Sequence, residues 1–383
     1  MTGTTTDAGA PAPTGATAPG AAGRGDWSVS WHGLRTMTRL ELRQRIRSTR
    51  WRTALGLWVV AVGVITGLTT WALRDPAVTG DGDLGGMIYG IVVCFVLFLG
   101  LLVAPTLSSG SINGDRNAGT LATLQVTLLS PAEIVLGKLA AAWIAALSFL
   151  VVSVPFVLWA LAAGGVSALS LVGTLLMLAV VLGIVCAIGL GFSALVTKPS
   201  ASAVLTYLTI GTITAVLPIL FGLLAPLTTT TEQVRVWTAT SYDTASGLSE
   251  DCEWETRTEE VWHHELTWWM LAPNPFVLVA DAQPLEQGPD GMEEPDGLSP
   301  LGALQYGVRW LMTDEGAERN ECWISDSADG LDPNGPREPQ LTDQMAWPWG
   351  LGMNLLLGVG GVVVAVGRLR IPARELPRGT RVA

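Results

Sequence analysis

The chain has 383 residues, of which 49% are hydrophobic and only 14% are charged, and its net charge is −11. This composition argues against a soluble chain of two or three domains and favours an integral membrane protein. Acidic residues are concentrated in residues 228–345, which contain 24 acidic and 5 basic side chains, so the rest of the chain has a net charge of +8. We therefore expect acid on one side of a membrane and base on the other.

Five long tracts without any charged residue predict the membrane spans. A hydrocarbon core of roughly 30 Å needs about 20 apolar residues in a helix, so each tract is long enough for one span. The third tract has 59 residues and holds two spans, with a turn at Gly164–Ser167. The tracts are continuous and not alternating, so the predicted fold class is all-α with six transmembrane helices. The tracts are Thr53–Leu73, Leu84–Gly114, Leu139–Thr197, Pro199–Thr231 and Gln344–Gly367.

Two segments of different character precede the first span. Residues 1–26 are mostly Ala, Gly, Thr and Pro and predict a disordered tail. Residues 27–52 predict an amphipathic helix that lies on the membrane surface, because an apolar stripe at helical spacing is flanked by arginines. The alternative is a solvated basic segment that serves only as a topology signal. The residues of this interfacial helix are Trp27, Trp31, Leu34, Arg35, Arg39, Leu42, Arg43 and Ile46.

The distribution of basic residues predicts the topology. Arginines precede the first span and recur in the tail 368–383, so both termini are expected in the cytoplasm. Spans one to five then occupy residues 53–227, with the loop 109–138 on the cytoplasmic side. The acidic lobe 228–345 lies outside, and residues 346–367 form the sixth span.

The acidic lobe is too long and too rich in tryptophan, with seven, to be a simple linker. We expect a small, partly ordered external lobe with a short helix over Pro300–Met312. Its two cysteines, Cys252 and Cys322, predict a disulfide if the lobe faces an oxidising compartment, and closing about 70 residues contributes up to roughly 4 kcal/mol. Two unpaired thiols are the alternative.

Several residue patterns resemble functional motifs but lack a residue or a spacing that the motif requires. Gly137 and Lys138 are followed by Leu139 and lack the upstream glycine of a phosphate-binding loop, so no ATP site is visible. His263-His264-Glu265 lacks the spacing of a zinc motif and is expected to be an ordinary loop. The spans contain no ionisable side chain, which argues against a carboxylate proton relay. Energy for any transport must therefore come from another protein.

The loop from Ser111 to Lys138 contains the main signal. Leucines at helical spacing predict a short amphipathic helix over Thr120–Leu129, and Ser130-Pro131-Ala132-Glu133 predicts a capped helix start. Such a cytoplasmic helix either rests on lipid headgroups or docks into a groove of a partner, and the residues alone leave both open.

This loop resembles the first cytoplasmic loop of ABC-2 type transporter permeases, and the general style of the chain resembles actinobacterial members of that family. The pattern in that family commonly has Glu where this chain has Asp115 and Ala122. The matching residues are Asp115-Arg116, Gly119-Thr120-Leu121, Leu128-Leu129, Ser130-Pro131 and Gly137-Lys138.

The resemblance implies a permease subunit in the bacterial inner membrane that exports an apolar or amphiphilic substrate. It implies a dimer with a second copy or a paralogue, and a separate ATPase subunit that binds ATP and Mg; this chain would have no cofactor, metal site, catalytic residue or nucleic-acid partner. Direction of transport and dimer type stay open, as do a membrane-anchored sensor with a ligand-binding lobe and a membrane enzyme. The implied contacts with the ATPase subunit are Asp115, Arg116, Gly119, Thr120, Leu121, Leu124 and Leu128.

Overall fold

The structure is a computed structural model, and it describes residues 25–74, 84–120, 129–164, 166–242, 249–284, 299–313, 318–322 and 344–370. Residues 1–24 of the predicted tail 1–26 and residues 371–383 of the predicted tail 368–383 lie outside these ranges.

Within these described ranges, six helical segments are long and apolar enough to cross a membrane, which agrees with the predicted number. The third tract divides into two spans, as predicted from its glycine turn. The spans are α2 (Thr49–Ala72), α3 (Leu84–Ser108), α5 (Pro131–Ala162), α6 (Ala168–Leu195), a fifth made of α7 (Pro199–Gly211), a π-helical turn (Thr212–Val216) and α8 (Leu217–Leu224), and α11 (Trp347–Leu369).

Helices α3 and α6 lie at the centre of the bundle. In each, 56% of the most apolar stretch is buried inside the protein, against 17% in the fifth span. Small residues allow α11 to pack closely on α6: a Cβ atom on Gly191 would lie 2.6 Å from the Cα of Gly361. Such close contacts are the main way in which helices associate in lipid, where the hydrophobic effect between them is weak.

Two short helices lie at one end of this bundle, which we call the α1 end. Helix α1 (Trp31–Ile46) packs on the start of α5, and α4 (Asn113–Asn117) follows α3. Asp26 and Arg370 form an ion pair of 3.0 Å at this end. The segment before the first span and the last turn of the sixth therefore lie together, as an even number of crossings requires.

The opposite end, which we call the sheet end, contains a three-stranded sheet that the all-α prediction did not include. Strand β1 (Thr229–Tyr242) pairs antiparallel with β2 (Ser249–Trp262), and β3 (Glu318–Asn320) pairs parallel with β1. Val234 and Val236 alternate along β1 and are buried. This is the two-residue period of a strand. All-α thus describes the spans, while the region between the fifth and sixth spans is mixed.

Two helices close the sheet end of the bundle. Helix α10 (Pro300–Trp310) confirms the helix predicted over Pro300–Met312, whereas α9 (Pro275–Asp281) was not predicted. Leu278 and Val279 of α9 are fully buried in the same core as the spans. The predicted external lobe is therefore partly a cap on the bundle.

Candidate functional site

The start of α5 forms the predicted capping box. Ser130 Oγ accepts a hydrogen bond from the Glu133 backbone N–H at 3.1 Å, and Glu133 Oε2 accepts one from the Ser130 backbone N–H at 2.9 Å. Pro131 occupies the first turn, where its missing N–H costs nothing. The sequence thus predicted this local structure correctly.

Glu133 has a second role that the sequence analysis missed. Its other oxygen, Oε1, accepts hydrogen bonds from the backbone N–H and the hydroxyl of Ser30, at 2.7 and 2.6 Å. Ser30 is the N-cap of α1, and its hydroxyl accepts from the Gly33 N–H. One fully buried carboxylate therefore joins the beginnings of α1 and α5.

Gly137 and Lys138 provide the next contacts between α1 and α5. A Cβ atom on Gly137 would lie 2.6 Å from the Cβ of Met37, so only glycine allows this approach of α1. Lys138 is 1% exposed and forms ion pairs with Glu41 of α1 and with Asp115 of α4, the latter at 2.5 Å. The ammonium of Lys138 thus connects three helices.

Arg45 completes the attachment of α1. Its Nη2 donates to the carbonyl oxygen of Leu107 at 2.8 Å, in the last turn of α3. Cations are stabilised at helix C-termini, where backbone carbonyls lack partners. Burial lowers the pKa of Arg45, and the nearby carboxylate of Glu41 opposes that shift. We call Glu133, Lys138, Glu41, Asp115 and Arg45 the clamp.

The predicted ATPase contacts fall into three groups. Asp115 belongs to the clamp, with its side chain turned towards Lys138. Arg116, Gly119 and Thr120 are exposed. The segment 116–120 is therefore an exposed strip next to the clamp, whereas Leu121, Leu124 and Leu128 lie outside the described residues and the helix predicted over Thr120–Leu129 stays a prediction.

Gly119 has a specific reason to be glycine. Its φ is +74°, in the left-handed region that other residues adopt at a cost. A Cβ atom there would meet nothing within 4 Å, so backbone conformation and not space selects glycine. Its N–H bonds to the Arg116 carbonyl at 3.2 Å, so the residue directs the chain out of α4.

A helix is present within residues 27–52 but is shorter than predicted, and its position on the membrane surface stays a prediction. Ser30 caps its start, Ile46 ends it, and Ser48 in an extended conformation begins α2 at Thr49. The bundle covers the apolar stripe only in part, because Gly33 and Met37 face α5 most directly. The predicted residues keep an exposed or half-buried position: Trp27, Trp31, Arg35, Arg39, Arg43 and Ile46 are exposed, and Leu34 and Leu42 are partly buried.

The cap at the sheet end is fixed by buried polar groups. Asp281 accepts from Arg309 Nε at 2.8 Å and from the Trp347 N–H at 2.9 Å, with both charged side chains buried. Asn354 in the sixth span donates to the Pro273 carbonyl at 2.8 Å. Asn274 donates to the Thr214 carbonyl at 3.2 Å. Pro218 lacks the N–H that would bond to that carbonyl in a regular helix.

The predicted disulfide is confirmed, since Cys252 and Cys322 are joined across 70 residues. It connects β2 to the segment after β3, and Cys322 is fully buried. His263 bonds to Glu265 at 2.8 Å and to Glu232 at 3.1 Å, and these hydrogen bonds raise its pKa. His264 is buried in a 3₁₀ turn, His264–Leu266, and packs against Trp262 and Trp310, so it has a packing role that the expected ordinary loop does not include.

Most of the clamp was not predicted from sequence. A signal did exist: Glu41 is the one acidic residue of α1, and Lys138 is the one cation in the first turns of α5.

Comparison of this chain with models of known protein families gives no match, and a search of curated proteins finds none that is significantly similar.

Proposed function

We propose that this chain is the permease subunit of an ATP-binding cassette exporter of the ABC-2 type. On this proposal a separate ATPase subunit docks on the exposed strip 116–120 and the segment that follows it. ATP and Mg are bound by that subunit and not by this chain. The single observation that carries the proposal is that the strip adjoins the clamp, which connects it to three helices.

The ion pairs of the clamp connect the strip mechanically to α5 and α1. The strip continues directly from α4, which begins five residues after the end of α3. Asp115 passes a displacement of α4 to α5 through Lys138, and Glu41 passes it on to α1. Because charge-assisted hydrogen bonds between buried groups resist separation, these helices move together when the strip is pushed.

The remaining parts of the proposal concern partners and location. The fifth span and α2 have the least buried faces, so they are the surfaces that contact lipid or a second permease copy or paralogue. Both termini lie in the cytoplasm of a bacterium, the chain crosses the inner membrane, and the substrate is apolar or amphiphilic. The uncharged tracts within the spans fit such a substrate, because the charged residues of the span helices, such as Glu133 and Lys138 of α5, lie near the helix ends.

The proposal is tested by co-purification with an ABC ATPase encoded beside this gene. We expect Arg116→Glu to weaken co-purification and the triple variant Leu121→Asp, Leu124→Asp, Leu128→Asp to abolish it. Arg368→Glu is the matched control, because Arg368 is an exposed arginine near the same end of the bundle. If Arg116→Glu and the leucine triple variant both fold and retain the ATPase as well as the control does, the docking surface is elsewhere.

A ligand-binding lobe is the second candidate function. Trp254 is exposed, and the guanidinium of Arg235 lies 4.5 Å from the centre of its ring. A flat ligand would stack on this ring, and an anionic ligand would pair with the guanidinium. Other lobe tryptophans have packing roles: Trp262 contacts Phe221 of the fifth span, and Trp310 contacts His264. Ligand binding that survives loss of the strip and disappears in Trp254→Ala would favour a sensor.

A further inference from the structure

An apolar groove of about 800 Å³ runs between α1 and α5. One wall is the apolar stripe of α1, which the bundle covers only in part, and the other is the surface of α5 in the two turns that follow Lys138. The apolar side chains that line it are Trp31, Leu34, Leu42, Ile46, Ala140 and Ile144. Ile144 is 42% exposed, so the groove opens onto the outer surface of a membrane span.

A row of four arginines borders this groove. Arg35, Arg39 and Arg43 recur every fourth residue along one ridge of α1, Arg47 directly follows the last residue of that helix, and all four are exposed. No carboxylate among the described residues pairs with any of them. Glu41 is turned towards Lys138, and Arg45 is turned towards α3. The row therefore has uncompensated positive charge beside an apolar surface.

We propose that this groove binds an anionic phospholipid. The acyl chain lies against the apolar walls, and the phosphodiester accepts hydrogen bonds from the arginine row. Guanidinium groups bind phosphate through two parallel N–H donors, and a basic helix beside a span attracts anionic headgroups. A lipid fits better than a soluble anion because the charged row and the lipid-facing surface of α5 are continuous.

The proposal does not depend on the exporter function, because any protein with this bundle in a bilayer would present the same groove. It does predict a link to the clamp. The arginine row and Glu41 belong to one helix, so a bound lipid holds α1 in the position where Glu41 reaches Lys138.

Native mass spectrometry of the full chain in neutral detergent tests the proposal. The probes are dioleoyl phosphatidylglycerol, zwitterionic dioleoyl phosphatidylcholine, and glycerol 1-phosphate as a headgroup without acyl chains. We expect the wild type to retain phosphatidylglycerol at least about tenfold more strongly than phosphatidylcholine. Glycerol 1-phosphate should not displace it.

The variants separate the charge from the groove. R35Q/R39Q/R43Q/R47Q should lose the preference for phosphatidylglycerol. R50Q/R52Q/R116Q/R368Q, which removes four other exposed arginines, should keep it. If the first variant does not fold, R39Q/R43Q should still reduce the preference. Ala140→Phe fills the groove without changing charge and should weaken retention of phosphatidylglycerol.

Three outcomes would overturn the proposal. Equal retention of the two lipids by the wild type would show a non-specific annulus. An unchanged preference in R39Q/R43Q and Ala140→Phe would place the lipid elsewhere. Displacement by glycerol 1-phosphate would show a soluble-phosphate site instead.

Discussion

The two ends of the bundle are held by buried polar side chains, but they differ in what they leave exposed. At the α1 end, the clamp joins α1, α4 and α5 and stops at the exposed strip 116–120. At the sheet end, Asp281, Asn274 and Asn354 draw α9 into the core and leave it buried. The buried polar groups of the α1 end thus adjoin an exposed segment, whereas those of the sheet end hold a buried helix.

The chemistry of the two ends also differs. In the clamp, Glu133 and Lys138 are buried, but Asp115, one of the two carboxylates that pair with Lys138, is 30% exposed. The pair of Asp281 and Arg309 at the sheet end is almost fully buried, at 0% and 3% exposure. Breaking a buried pair leaves an uncompensated charge, whereas solvent can stabilise an exposed one. The largest effects of single substitutions are therefore expected at the sheet end.

Replacing Asp281 by Ala should give the largest loss of stability. The substitution leaves Arg309 buried without its carboxylate and the Trp347 N–H without its acceptor, at a cost of about 3–5 kcal/mol. Thermal unfolding of the detergent-purified protein measures the effect. Glu318→Ala is the control, because it removes a pair with Arg235 in which both side chains are about half exposed. Glu318→Ala should lower the free energy of unfolding by no more than about 1 kcal/mol. Equal losses in Asp281→Ala and Glu318→Ala would refute the difference between buried and exposed pairs.

Gly137→Ala should have an intermediate effect at the α1 end. The added methyl group meets Met37, so α1 must move away from α5 at a cost of about 1–3 kcal/mol. Faster trypsin cleavage at the arginines of α1 should accompany the loss of stability. Gly352→Ala, at a helical glycine with open space around it, should cause neither change. Unaltered cleavage in Gly137→Ala would mean that the contact does not hold α1.

The smallest expected effect is a pH dependence of the stability of the lobe at the sheet end. Hydrogen bonds that His263 donates to the carboxylates of Glu265 and Glu232 raise the pKa of His263, so the folded lobe binds the proton more tightly than the unfolded chain. This stabilisation is complete below the unfolded pKa of about 6.5 and is lost as the pH rises through the folded value. Unfolding of the lobe followed between pH 5 and 9 should show a dependence that His263→Gln removes. An identical profile in the variant would contradict the assignment.

The spans and the start of α5 were predictable because their causes are local. Uninterrupted apolar tracts determine the spans, and the capping box depends on residues three positions apart. The disulfide was predictable from the number of cysteines in the lobe. The ends of α1 were missed because Ser30 and Ser48 interrupt a pattern that continues on both sides of them.

The clamp and the polar contacts of the cap were not predictable, because the residues that form them are far apart in the sequence. Ser30 and Glu133 are 103 residues apart, and Asn274 is 60 residues from Thr214. Nothing local indicates that such groups meet. The sheet was missed although Val234 and Val236 carry its two-residue period, because the apolar tracts alone were used to assign the fold class.

The most direct test of the central claim is photocross-linking from the two ends in a membrane that contains the candidate ATPase. A photoreactive amino acid replaces Thr120 on the strip in one variant and Trp254 at the sheet end in the other. We predict a cross-link to the ATPase from position 120 that changes in yield when ATP is added, and none from position 254. A chain that cross-links to lipid alone from position 120, while the ATPase is present and active, would contradict the proposal that this strip is the docking surface.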